Sequence, residues 1–270
     1  ICNRKSGVGA DGLLVREKSK VADLKMRIFN TDGSEASMCG NGARCFAYYF
    51  SGGKKTGKDF FLALETKAGI VKAQVNADNV RINITQPKNL KVGVPLRVGG
   101  RTIKVNFINT GVPHTVIFVE GLEQIDVKGL GRQIRDHRYF APAGTNVDFV
   151  EVLRVDSLKL RTYERGVEDE TLACGTGSIA AALVTSVKAA EGINQFLRPK
   201  GRSLSEIDTE RPYSIRAING AVLWPRMYKV NVHTAGGEIL KVNFIKTEHG
   251  FKDVWLEGKV GLVYRGEYYV

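Results

Sequence analysis

Glu35-Ala36-Ser37-Met38-Cys39-Gly40-Asn41-Gly42-Ala43-Arg44 returns, 135 residues later, as Glu170-Thr171-Leu172-Ala173-Cys174-Gly175-Thr176-Gly177-Ser178-Ile179. Each copy sets an acid four residues before a cysteine, follows with C-G-x-G, and opens an apolar run. The same offset carries Gly9-Ala10-Asp11-Gly12-Leu13-Leu14-Val15 onto Gly144-Thr145-Asn146-Val147-Asp148-Phe149-Val150, and it sets Asn30 against Arg165 and Asp11 against Asn146. The chain therefore reads as two related halves, 1–92 and 93–270. One thiol in each half suggests a shared site flanked by two thiols. That arrangement can take a proton from one face of a carbon and return it to the other.

The repeat also locates its own irregularities. The second half has a strand and a Thr110-Gly111-Val112-Pro113-His114 turn well ahead of Gly144, whereas the first half begins eight residues before Gly9. The repeat thus predicts about 30–40 residues ahead of Ile1 in the parent sequence. Spacing from each cysteine to the next glycine turn places about 33 extra residues in the second half, within 191–226. That insertion reads as a surface excursion packed through Trp224.

Length, at 270 residues, suits two ordinary domains, and 43% hydrophobic with 25% charged residues suits a globular chain. No apolar run is long enough to span a membrane. Four cysteines are too few for a disulfide framework. They lack the C-x-x-C spacing of zinc or thioredoxin-like sites. A net charge of +12 raises nucleic-acid binding, but the basic residues are scattered rather than clustered. An ordinary basic surface that attracts small anions is the better reading.

Alternating β-branched segments predict strands at 12–15, 24–29, 60–65, 71–75, 80–84, 103–108, 115–119, 147–152, 157–163, 229–233, 240–245 and 254–256. Helices are expected at 43–50 and 178–190, directly after the two C-G-x-G motifs, with a surface helix at 123–135. The 178–190 segment is apolar all round and should be buried. The fold class is α+β, with many strands around one central helix in each half.

The motif's chemistry follows from its place at a helix start. The first N–H groups of a helix lack partners and its dipole is positive there, so a cysteine at that point is expected to be acidified. Glycines let the backbone approach a ligand, and freed N–H groups can hold a carboxylate. A carboxylate held beside a thiolate suits proton abstraction alpha to that carboxylate. Cys2 and Cys45 read as buried packing residues. His114, at a strand–turn junction, and the Glu164-Arg165-Gly166 segment are the polar groups nearest the motifs in sequence.

Phe29-Asn30-Thr31-Asp32-Gly33-Ser34-Glu35, Cys39-Gly40-Asn41-Gly42-Ala43-Arg44-Cys45, Gly144-Thr145-Asn146-Val147, Tyr163-Glu164-Arg165-Gly166 and Ala173-Cys174-Gly175-Thr176-Gly177 together closely resemble the diaminopimelate epimerase family. The resemblance covers nearly the whole chain outside 191–226. It implies two pseudo-symmetric halves, each a strand-rich roll or barrel around a central helix, with the site between them. It implies interconversion of LL- and meso-diaminopimelate, on the lysine and cell-wall route, with no cofactor and no metal. Cys39 and Cys174 would be the acid–base thiols, assisted by His114 and Glu164. Asn30, Asn146 and Arg165 would contact the distal end of the substrate, and Gly40, Asn41, Gly175 and Thr176 its reacting carboxylate. Val112 departs from the family pattern, where many members have Asn. A further substrate Asn belongs to an H-G-x-G-N-D-like segment that precedes this sequence in the family.

Proline racemases resemble the pattern but carry C-G-H-G where Asn41 stands here; phenazine-biosynthesis isomerases lack the cysteine pair. A basic binding protein on a retired enzyme scaffold is the remaining alternative, which the intact thiols and the E-R-G segment oppose. The expected partner is a small-molecule substrate, with no nucleic acid and no membrane. The setting is cytoplasmic, and a homodimer is allowed.

Overall fold

In the computed structural model, residues 1–53, 58–154, 156–190 and 226–268 are described. The 191–226 insertion thus lies, apart from its last residue, outside the described residues. The fold is a sheet-rich α+β architecture with few helices. It divides into two compact units, Ile1–Thr85 with Trp255–Val270, and Gln86–Val254. This division differs from a single cut at 92. The last strand, β15 (Gly250–Lys259), carries the chain back to the first unit, where Trp255–Lys259 pair antiparallel with Asn79–Asn83. Backbone pairing outweighs sequence proximity there.

In the first unit, β1 (Gly12–Glu17) and β2 (Leu24–Asn30) form an antiparallel hairpin, and β3 (Glu35–Ala36) adds to β2. Helix α1 (Gly40–Phe50) follows, then β4 (Phe60–Thr66), β5 (Gly69–Asn76) and β6 (Asn79–Asn83). The strand order is β1-β2-β4-β5-β6-β15, with β2 and β4 parallel. Ala43, Phe46 and Ala47 recur on one face of α1 and are buried, packing the helix against β2, β5 and β6. Met26, Leu64, Val71, Ala73, Val80 and Ile82 are the strand side of this core.

The second unit starts with β7 (Lys88–Val98), β8 (Arg101–Asn109) and β9 (Pro113–Phe118). A 3-10 turn at Leu122–Gln124 leads into α2 (Val127–Arg135). Then come β10 (Asn146–Arg154), β11 (Ser157–Glu164), β12 (Asp169–Thr171), α3 (Gly175–Ala190), β13 (Arg226–Thr234) and β14 (Ile239–Thr247). The order is β14-β13-β11-β10-β9-β8-β7, with β9–β10 and β11–β13 parallel. Helix α3 touches β8, β9, β10, β11, β13 and β14, as a central helix should. Its Ile179–Val184 segment is inaccessible to solvent. Burying Ile179, Leu183 and Val184 stabilises the fold by about 1.5–3 kcal/mol each. Helix α2 covers the other face of β10 and β11 over Leu122, Ile134, Phe149 and Tyr163. Strand β10 is therefore buried on both faces over its first five residues rather than on alternate ones.

Several elements differ from the sequence reading. Both motif helices start at the first glycine rather than three residues later. The expected helix at 123–135 is split by extended backbone at Ile125, and Asp126 caps the true helix by accepting from the Gly129 N–H. Strands β3, β7 and β12 had no counterpart among the expected strands.

Candidate active site

The two C-G-x-G cysteines sit at matched positions. Cys39 is the N-cap of α1, extended at φ −141°, and its Sγ accepts the Gly42 N–H at 3.3 Å. Cys174 Sγ accepts the Gly177 N–H at the same 3.3 Å. The carbonyls of Cys39 and Cys174 take the first helical hydrogen bonds, from Ala43 and Ser178. In both halves the sulfur replaces the oxygen of an ordinary capping side chain.

The strand side of the repeat is one residue out of step with the cysteines. Arg27 is bidentate to Glu35, and Arg161 is bidentate to Glu170. The loop from Asn30 closes with the Gly33 N–H on the Asn30 carbonyl; the loop from Glu164 closes with the Glu168 N–H on the Glu164 carbonyl, one residue longer. Glu168 takes up the extra residue with a left-handed φ of 59°. Asn30 is thus the counterpart of Glu164, not of Arg165. A Cβ on Gly42 would meet Leu14, and one on Gly177 would meet Asp148, so Leu14 is the counterpart of Asp148, and Gly12 of Asn146. The pairings of Asn30 with Arg165 and of Asp11 with Asn146 do not hold.

This realignment shows how different the two thiol environments are. Around Cys174, Thr176, Asp148 and Glu164 stand where the first unit has Asn41, Leu14 and Asn30. His114 is fully buried at the start of β9, paired in register with Asn146 of β10. Its Nδ1 is 2.7 Å from Asp148 Oδ2, and its Nε2 is 2.9 Å from Thr176 Oγ1. Thr176 Oγ1 is 3.5 Å from Cys174 Sγ. The other Asp148 oxygen accepts from Thr162 at 2.8 Å. Asp148 was no candidate in the sequence, although a carboxylate inside Asn146-Val147-Asp148-Phe149-Val150 was the available signal.

Burial pushes the Cys174 thiol well above its ordinary range; the negative charges of Glu164 and Asp148 add to this, and the Thr176 and Gly177 hydrogen bonds oppose it. The helix start thus does not acidify this thiol, against the expectation from its N-cap position, because desolvation of the thiolate outweighs the cap. Burial also raises the Glu164 carboxyl, opposed by its hydrogen bond with Thr171 and by His114, with Asp148 adding to the rise. A thiol whose folded pKa is raised keeps its proton where the unfolded chain releases it, so stability is lost as pH rises. Above about pH 8.5, Cys174 should cost up to about 1.4 kcal/mol per pH unit. Cys174→Ser should flatten that fall, measured as the difference between the two proteins' unfolding free energies at pH 7, 8, 9 and 10. A constant difference across that range would contradict the burial argument.

The remaining residues fall into the two units. In the second, Asn146 is buried; its Nδ2 donates to the Pro113 carbonyl at 2.9 Å, and its Oδ1 accepts the Arg165 N–H at 2.9 Å. Arg165 donates to the Ala143 carbonyl at 2.8 Å. Asn146 thereby fixes the Glu164-Arg165 corner relative to His114. The Thr110 hydroxyl donates to the Thr176 carbonyl, pinning the start of α3 beside buried Gly175. In the first, Gly40 is buried, Asn41 Oδ1 accepts from Arg44 at 2.8 Å, and Asn30 donates to Ser34 at 3.0 Å. Cys45 is exposed rather than packed inside, and it lines a groove of about 520 Å³ with Phe46, Tyr49 and Leu262. Cys2 is half-buried.

Among the described residues no helix is long and apolar enough to cross a membrane. The fold resembles that of a probable proline racemase from Agrobacterium radiobacter, with TM-score 0.60 at 14% identity over 93% of this chain and 74% of that one. At that identity the likeness speaks to the fold alone. Sequence relatives are nearer. The chain is 39% identical to a diaminopimelate epimerase from Aquifex aeolicus over 98% of its own length and 82% of the relative's. It is 38% identical to one from Hydrogenobaculum, over 98% and 83%. The diaminopimelate epimerase family model matches residues 1–90 and 106–212. With both capped cysteines and the E-R-G corner in place, this chain belongs to the diaminopimelate epimerase family.

Proposed function

We propose that Cys39 and Cys174 are the acid–base pair with which this epimerase interconverts LL- and meso-diaminopimelate. The observation that carries the reading is the duplicated cap: a cysteine sulfur accepts a glycine N–H at 3.3 Å at the start of one helix in each unit. In one direction a thiolate removes the Cα proton while the other thiol delivers a proton to the opposite face. In reverse the two exchange roles. The enolate-like charge on the substrate carboxylate is stabilised by the N–H groups of the helix starts, through Gly40, Asn41, Gly175 and Thr176. Asn30, Asn146 and Arg165 read the distal amino-acid end, Arg165 with the planar guanidinium that carboxylates favour. His114 and Glu164 manage the proton of Cys174. Two thiols and fixed donors account for every step, so the mechanism calls on no cofactor.

The substrate is a small, water-soluble amino acid with two zwitterionic ends, which suits a cytoplasmic enzyme. Dimerisation is part of the proposal only as an assembly of two copies of this chain. The distinguishing assay follows isomer interconversion with diaminopimelate, proline and hydroxyproline in parallel. Asn30, Asn146 and Arg165 favour a substrate with a second charged end, so diaminopimelate should turn over at least about a hundredfold faster, the scale of lost hydrogen bonds to a charged group. Faster turnover of proline or hydroxyproline would replace this reading with that of a proline-type racemase.

A further inference from the structure

The contacts around Cys174 form a single file: sulfur, hydroxyl, imidazole, carboxylate. His114 and Asp148 are both fully buried, at 2.7 Å. Asp148 Oδ1 accepts from the Thr162 hydroxyl and Oδ2 lies 2.7 Å from His114 Nδ1, and an ionised carboxylate can only accept. The imidazole therefore donates its Nδ1–H to Asp148, and its Nε2 is left as an acceptor. Nε2 then takes the Thr176 hydroxyl proton at 2.9 Å. That leaves the Thr176 oxygen to accept the Cys174 S–H at 3.5 Å. Asp148 is held against Gly177, where a Cβ would lie 2.5 Å from its Oδ1, and Thr176 is held through its carbonyl by Thr110. Four elements, β9, β10, β11 and the start of α3, fix the file.

We infer that Cys174 gives up and regains its proton through the Thr176 hydroxyl to His114, and that Asp148 is the positioning residue that sets the direction of this relay. The inference rests on the reading of Cys174 as an acid–base group. The balance is simple. The S–H proton passes to the Thr176 oxygen as the Thr176 proton passes to His114 Nε2. The products are a Cys174 thiolate, an unchanged Thr176 hydroxyl, and an imidazolium paired with Asp148. No electron changes hands. The first unit has Asn41 and Leu14 at the positions of Thr176 and Asp148, so the relay serves one thiol of the pair.

The charged groups that act on Cys174 are Glu164 from β11 and Asp148 from β10, with His114 of β9 between Asp148 and Thr176. This makes Asp148→Asn a test of sign. If Asp148 acts only as a nearby negative charge, its removal favours the thiolate, and the pH midpoint of Cys174 alkylation falls. If it sets the relay, the amide N–H₂ turns the imidazole to its other tautomer, Nε2 becomes a donor, and the midpoint rises. The experiment uses the full chain and follows iodoacetamide labelling of the Cys174 peptide by mass spectrometry between pH 6 and 10, alongside the pH profile of kcat/KM. Asp148→Asn and Thr176→Val should each raise both midpoints and lower kcat/KM at pH 7.5 by about a hundredfold, the low end of the range for acid–base assistance. Thr176→Ser, which keeps the hydroxyl, should return the midpoints toward wild type. The double variant should shift no further than either single one. A falling midpoint in Asp148→Asn, or a Thr176→Val midpoint equal to that of Thr176→Ser, would overturn the relay. A Cys174→Ser chain with normal turnover would overturn the two-thiol reading beneath it, a separate outcome.

Discussion

Serine in place of either Cys39 or Cys174 should lower epimerisation about a thousandfold or more while the chain stays folded. Loss of a positioned acid–base group costs about a hundred- to ten-thousandfold, and a serine hydroxyl is far less acidic than a thiol. Folding should survive because serine is itself a favoured N-cap. Its oxygen can take the Gly42 or Gly177 N–H that the sulfur accepts now. The check pairs rates in both directions with a thermal melt. Either variant turning over near the normal rate would remove that thiol from the mechanism, and a variant that fails to fold would show that the cap is structural first.

The second large effect should separate two glycines that look alike in sequence. A Cβ on Gly177 would sit 2.5 Å from Asp148 Oδ1 and 3.2 Å from Cys174 Sγ. Asp148 is fully buried and bonded at both oxygens, so it cannot swing away without breaking the His114 or Thr162 contact. Gly177→Ala should therefore cost about 1–3 kcal/mol of stability from overpacking and most of the activity. A Cβ on Gly42 would meet the Leu14 Cδ2 at 3.0 Å, the free end of a half-buried aliphatic chain that can rotate aside. Gly42→Ala should cost under about 1 kcal/mol, as an accommodated small increase in volume does. Equal destabilisation of the two variants would contradict the realignment of Leu14 with Asp148.

The cysteine pair was legible because repetition converts a common dipeptide into a statement about two halves. The twelve expected strands were legible because their alternation is regular and their ends carry turn residues. Strand β7 was not. Lys88–Val98 contains Gly93 and Pro95 and pairs with β8 across two register shifts, so period-two alternation is lost. The helix starts were misplaced because glycine is a poor helix former in general. Here it is needed where the capping sulfur and the neighbouring strand come close. The one-residue slip between β11 and α3 could not be seen from the cysteines outward. It lies in the Glu164–Glu168 loop, whose left-handed Glu168 is not a residue that advertises such a turn. Asp148 was hidden for a related reason. With β10 buried on both faces, no polar face stands out along the strand, and only the chemistry of a carboxylate among apolar neighbours marks it. The raised Cys174 thiol was missed because local rules weigh the helix start but not the depth of burial around it.

The central claim, that two different groups handle the proton on the two faces of one carbon, is tested most directly by running the reaction in D₂O. LL-diaminopimelate is supplied with protium at Cα, and substrate and product are separated at low conversion. Two-thiol transfer predicts that the meso product carries solvent deuterium at the inverted Cα from the first turnovers, while unreacted LL substrate still carries protium. Product that retains the substrate's own hydrogen, or deuterium appearing equally in substrate and product from the start, would contradict it, because either result assigns both faces to a single base.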